Sequence, residues 1–149
     1  MFFSQLYEYL PELANKETRT ITLPKSYNGI PAAEYALIEM YCNKKKCDCR
    51  RVFLYVVSSL TKEPVAVIAF GWESEDFYAK WMGFVKPLNQ QDLSDVKELK
   101  GPCLNRLSPQ SKYAPEILKL VEECVLNDEM YVKRLKRHYK LFKEIVNSR

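Results

Sequence analysis

The sequence predicts an α+β fold: a small antiparallel sheet in meander order, with C-terminal helices packed on one of its faces. Two observations predict it. Three runs rich in β-branched and aromatic residues, 33–42, 50–58 and 65–70, follow one another across short polar turns. The C-terminal segment instead places its apolar side chains at helical spacing. At 149 residues the chain fits one domain, 1–149, because a domain of that size buries about 68–70% of its unfolded surface.

Taken in order, residues 4–10 suggest a short helix, and Pro24, Gly29 and Pro31 mark an irregular loop after it. The first strand, 33–42, has both faces partly apolar, and the lysine-rich stretch Asn43 to Lys46 makes its turn. Strand two runs from Arg50 to Ser58. Thr61 to Pro64 turns the chain into strand three, Val65 to Phe70. After Gly71 the texture changes. Glu73, Glu75 and Asp76 precede apolar residues spaced for a helix that Gly83 stops. Pro87, Gly101 and Pro102 break up residues 84–109, leaving one short helix near Asp92 to Leu99. Two helices close the chain: one from about Ser111 carrying Ile117, Leu118, Leu120, Val121 and Val125, and one from Glu129 to about Val146.

Composition excludes several classes. With 47% hydrophobic and 13% aromatic residues, mixed charges and no visible repeat, the chain is neither disordered, collagen-like nor coiled coil. No apolar run approaches the roughly 20 residues that span a bilayer. The N-terminus lacks a basic region before its apolar residues, and Glu8 and Pro11 interrupt it, which argues against a signal peptide. A cytoplasmic location is expected, where thiols stay reduced. The net charge of +4 is carried by one segment. From Asp128 to Arg149 seven basic side chains face three acidic ones, and the rest of the chain balances.

The strongest chemical signal is Cys42, Cys47 and Cys49, three of the five cysteines within eight residues, set against the single histidine, His138. A hairpin with thiols at both ends brings sulfurs into one coordination sphere, and the neighbouring lysines favour the thiolate that binds metal. On the last helix Tyr131, Leu135, His138, Phe142 and Ile145 recur at steps of four and three, which places His138 on or beside the buried face. Three thiolates and an imidazole complete a tetrahedral shell for structural Zn2+. The expected metal site is therefore Cys42, Cys47, Cys49 and His138, with zinc tying the C-terminal helix to the hairpin. Cys103, Cys124 and Asp48 are the alternative fourth ligands. A histidine hydrogen-bonded at the core edge is the plainer alternative for His138. Ordinary small thiols with no bound ion, or thiol redox chemistry at Cys47 and Cys49, are the alternatives for the cluster.

Other chemistry is thin. Glu73, Glu75 and Asp76 suit a helix start, where the dipole favours anions. Trp72, Phe77, Tyr78 and Trp81 make an aromatic patch that reads as core, or as an enzyme pocket beside Trp72 and Trp81 with Glu73 as its acid. A catalytic assignment is therefore left uncertain. If the last helix meets the hairpin, Arg134, Arg137 and Lys140 would share a surface with Lys44, Lys45, Lys46, Arg50 and Arg51, suited to a nucleic-acid or protein partner.

The strings Tyr41-Cys42 to Cys47-Asp48-Cys49-Arg50-Arg51-Val52, Ala69-Phe70-Gly71-Trp72-Glu73-Ser74, Pro109-Gln110-Ser111-Lys112-Tyr113-Ala114-Pro115 and Arg134-Leu135-Lys136-Arg137-His138-Tyr139-Lys140-Leu141-Phe142-Lys143 resemble an uncharacterised group of small bacterial and archaeal proteins. The resemblance runs from about Ile21 onward. It implies that the cysteine cluster and the helix with His138 belong to one domain plan, and it brings no known activity. The sequence thus supports a non-enzymatic zinc-binding domain acting in protein or nucleic-acid interaction.

Overall fold

The computed structural model describes residues 2–149. Its centre is the meander of β3 (Ala33–Cys42), β4 (Arg51–Ser58) and β5 (Pro64–Gly71), all antiparallel, with Leu37 opposite Val56 and Leu54 opposite Ile68. These are the three strands the β-rich runs predict. Along β3 the buried side chains are Tyr35, Leu37, Glu39 and Tyr41, and along β4 Val52, Leu54, Val56 and Ser58, so period-2 alternation points one face inward. The strand β5 is buried along most of its length because two helices, α4 (Gln90–Lys100) and α5 (Ala114–Val121), both pack on it.

Both sheet edges are short. The outer edge of β3 is shared by β1 (Phe3–Gln5), opposite Met40 to Cys42, and β2 (Thr20–Leu23), opposite Ala33 to Ala36. Two small helices, α1 (Leu6–Tyr9) and α2 (Pro11–Glu17), connect them. At the other edge β6 (Cys103–Leu104) pairs only with Ile68 and Ala69. Beyond it the Gln110 amide stands in for a strand: its Oε1 accepts from the Val67 N–H at 3.0 Å, and its Nε2 donates to the Val67 carbonyl at 3.1 Å. The expected helix over 4–10 therefore splits into a strand and a helical turn, and β1, β2, α2 and β6 are additions to the predicted elements. They are too short, at two to seven residues, to carry a periodic signal.

The helices follow local chemistry. In α3 (Glu75–Trp81) the Ser74 hydroxyl caps the Phe77 N–H, Asn89 caps α4, and Asp128 caps α6 (Glu129–Ser148). A π-helical turn, Glu122–Leu126, extends α5 toward Asp128. The apolar stripe of α6 buries Tyr131, Leu135, Tyr139, Phe142 and Val146 against α1 and β3. At about 1.5–3 kcal/mol per large side chain, this stripe is the main reason the helix docks. None of the helices among the described residues is long and apolar enough to cross a membrane.

Candidate metal centre

The end of β3, the connection after it and the approach to β4 bring Cys42, Cys47 and Cys49 together, with all three Sγ atoms within 4.8 Å of one another. Tetrahedral zinc at about 2.3 Å from each sulfur would space them by about 3.8 Å, so small side-chain adjustments close the shell. Cys42 and Cys49 are buried and Cys47 is half-buried. The loop that does this is held in costly conformations: Lys46 and Arg50, neither of them glycine, adopt φ of 63° and 49°. Such residues persist where the surroundings impose them, often at functional sites.

The thiols are electrostatically unequal. Hydrogen bonding from the Cys49 thiol, with smaller help from the Lys44 backbone N–H and Cys47, pulls Cys42 down to about 5 against the opposing effect of burial. The same contact with Cys42, together with burial, pushes Cys49 far up, and burial raises Cys47. Cys42 is thus the thiol that ionises most readily of the three, and a soft cation bound there would displace the protons of the other two. Lys143, only 6% exposed, stands beside it, donating to the carbonyls of Cys42 at 3.3 Å and Lys44 at 2.7 Å. Its buried ammonium was not foreseen, because Lys143 falls next to the apolar stripe in sequence.

Two more contacts lock α6 to this loop, and a third ties it to the chain just after β5. The Arg50 N–H donates to the Tyr139 hydroxyl at 3.1 Å, and the Lys46 N–H donates to Asn147 Oδ1 at 2.9 Å. Trp72 meets the Tyr139 ring edge-on at 5.1 Å between centroids. Arg50 itself bridges Asp48 and Glu73 at 2.8 and 3.1 Å and lies over the Phe77 ring. The helix is therefore attached to the hairpin by protein groups.

His138 does not join the thiols. Its ring is fully buried and lies between two carboxylates: Nδ1 is 2.7 Å from Glu39 Oε1, and Nε2 is 3.1 Å from Glu17 Oε1. Both coordinating nitrogens are engaged, so the expected Cys3His shell is replaced by a three-thiol cluster and a separate histidine network. The Tyr41 hydroxyl also donates to Glu39 Oε1, at 2.6 Å, and Arg137 and Arg134 close on Glu17 from the solvent side. Carboxylates only accept, so either both ring nitrogens or one of the carboxyls must carry the protons. Glu39 Oε2 and Tyr131 Oη have no protein partner among the described residues. Burial and the Glu39 charge push the Tyr131 phenol up.

The other candidates lie apart. The Cys103 thiol donates to the Glu98 carbonyl beside α4, Cys124 is exposed on the π-helical turn, and Asp48 is paired with Arg50. Trp72 faces Tyr139, Trp81 is 41% exposed on α3, and Glu73 is engaged by Arg50. No family model matches the chain, and no curated protein or solved structure does either. The donor set itself is the evidence: the cluster can hold a metal ion.

Proposed function

We propose that this is a non-enzymatic zinc-binding domain that docks a polyanionic partner, with Cys42, Cys47 and Cys49 holding one zinc ion. The observation that carries the reading is the convergence of three sulfurs within 4.8 Å in a loop whose backbone is held in left-handed conformations. Three thiolates suit a soft or borderline cation, and zinc is the tetrahedral one. The fourth position belongs to water or to a donor from the partner. In this reading zinc fastens the two ends of the β3–β4 loop rather than fastening α6 to the sheet.

The partner surface follows from which cations are held in no ion pair among the described residues. Arg134 and Arg137 turn to Glu17, and Arg51 donates to the Leu99 carbonyl at 2.8 Å, so these contribute less than their charge suggests. Lys133, Lys136 and Lys140 are exposed along α6, and Lys44, Lys45 and Lys46 are exposed on the loop that meets its C-terminal end. Zinc would hold that loop in place beside the helix. Nucleic acid is the polyanion to test first.

Elemental analysis of the purified chain tests the metal: about one zinc per chain, lost in Cys47→Ser and kept in His138→Ala. Binding to duplex DNA across a salt series tests the surface. A triple Lys133→Ala, Lys136→Ala, Lys140→Ala variant should bind more weakly, with a log–log salt slope smaller by up to about 3. Metal-free wild type, or DNA binding indifferent to the triple variant, would overturn the corresponding half of the reading.

A further inference from the structure

We propose that the same cluster is an oxidative switch: a hydroperoxide oxidises Cys47, Cys42 closes a disulfide onto it, and the bound metal is released. The metal-release step rests on the zinc reading above. The disulfide step rests on the thiol geometry alone.

Access picks out the first sulfur. Cys47 is half-buried, whereas Cys42 and Cys49 are each 3% exposed, so a small oxidant arriving from solvent meets Cys47 first. Proximity supplies the second. With the sulfurs within 4.8 Å of one another, forming a bond of about 2.05 Å requires a movement of less than about 3 Å. Chain geometry then favours Cys42 over Cys49 as the partner. Four residues separate Cys42 from Cys47, and the chain between them turns back on itself, with the Cys47 N–H donating to the Lys44 carbonyl at 3.3 Å. Only Asp48 separates Cys47 from Cys49, which leaves little freedom for two Cβ atoms to converge to the roughly 3.8 Å that a disulfide needs. Lys143, pinned to the carbonyls of Cys42 and Lys44, holds a fixed positive charge where negative charge passes between sulfur and oxygen.

The chemistry balances with the hydroperoxide as oxidant. The Cys47 thiol gives up its proton, and its sulfur attacks one peroxide oxygen. The O–O bond breaks, and the departing alkoxide takes a proton to leave as alcohol, or as water when the oxidant is hydrogen peroxide. Cys47 is then a sulfenic acid. The Cys42 thiolate attacks its sulfur, the S–S bond forms, the S–OH bond breaks, and hydroxide leaves as water with a second proton. Two electrons have moved from two sulfurs to one peroxide. Cys49 alone remains as a ligand, and one thiolate does not retain zinc against water. Because the switched loop carries Lys44, Lys45 and Lys46, oxidation rearranges part of the proposed partner surface. Cys103 and Cys124 lie outside the three-thiol cluster among the described residues.

The test uses the full zinc-loaded chain, hydrogen peroxide at one equivalent and a chromogenic chelator, with intact mass read in parallel. The expected result is one zinc released per disulfide formed, a mass loss of about 2 Da, and recovery of both thiols and zinc binding with a reductant. Cys42→Ser and Cys47→Ser should form no bridge, while Cys49→Ser and Cys124→Ser should still form it. Circular dichroism of the reduced variants checks that each is folded. Zinc retained through peroxide treatment overturns the switch. So does oxygen addition of about 32 Da at Cys47 without a bridge. If the wild type binds no zinc, the metal reading fails by itself. The mass of the metal-free chain after peroxide then decides the thiol step, with a Cys42–Cys47 bridge upholding it and its absence overturning it.

Discussion

Replacing His138 by alanine separates two pictures of this protein that otherwise share most of their residues. The ring is fully buried, and removing it strips Glu39 Oε1 of its contact at 2.7 Å and Glu17 of its contact at 3.1 Å. Glu39, 2% exposed, keeps the Tyr41 hydroxyl at 2.6 Å, but its Oε2 has no partner among the described residues. Its carboxylate is left buried with one hydrogen bond. Breaking a buried charged pair from one side costs about 3–5 kcal/mol. With a urea m-value of about 2 kcal/mol/M, the unfolding midpoint should fall by about 1.5–2.5 M. In the proposed reading zinc content should not change, because the thiols would hold the ion without the imidazole. Urea denaturation followed by circular dichroism, with metal analysis on the same samples, reads both quantities. Loss of zinc with an unmoved midpoint would refute this reasoning and restore the imidazole as a ligand.

The remaining predictions use other parts of the structure. Arg137, aided by His138, holds the Glu17 carboxyl below its usual 4.5 despite some opposing burial. A depressed carboxyl stabilises above its unfolded pKa and loses that contribution as pH falls through the folded one. The stability gap between wild type and Glu17→Gln should therefore hold steady from pH 7 to about 5 and shrink as pH falls below about 4.5; a gap that stays constant or widens on acidification would count against it. Lys143→Met should weaken zinc binding about 10- to 100-fold in a competition titration, as loss of a supporting contact does. Unchanged affinity would show that Lys143 serves the fold alone. Gly101 sits at φ 59° and ψ −154°, and a Cβ there would lie 2.1 Å from the Ala69 carbonyl oxygen. Gly101→Ala should cost at least about 2 kcal/mol, lowering Tm by about 4–8 °C in calorimetry, and an unchanged Tm would disprove the clash.

The long elements were legible because each carries enough residues to show a period. Strand β3 reads from 33 to 42, and the stripe of Tyr131, Leu135, His138 and Phe142 correctly turns His138 inward. The three thiols were legible for a different reason: their sequence spacing is too short for a hairpin loop to keep them apart. The partner of His138 was not read, although a signal existed. Glu39 falls in step with Tyr35, Leu37 and Tyr41, all on the buried face of β3. A carboxylate on one apolar face and a histidine on another each need a partner, and they answer one another across the core. Glu17 was beyond reach, since it lies at the end of a seven-residue helix whose docking depends on tertiary packing. The basic face was overcounted for a similar reason. Arg50, Arg51, Arg134 and Arg137 look free in a sequence, and only the fold shows the carbonyls and carboxylates that engage them.

The two edges of the sheet bear on how this protein can meet others. One is covered by two strands of three and four residues, and the other by a two-residue strand and the Gln110 side chain, which occupies the N–H and carbonyl of Val67. Edge strands of two to four residues leave little backbone on which a visiting peptide or a second copy could extend the sheet. Recognition by strand addition is disfavoured at both edges. In the proposed reading a partner would meet side-chain chemistry on the helices and on the cysteine loop, with charge and coordination, rather than backbone pairing, deciding what binds.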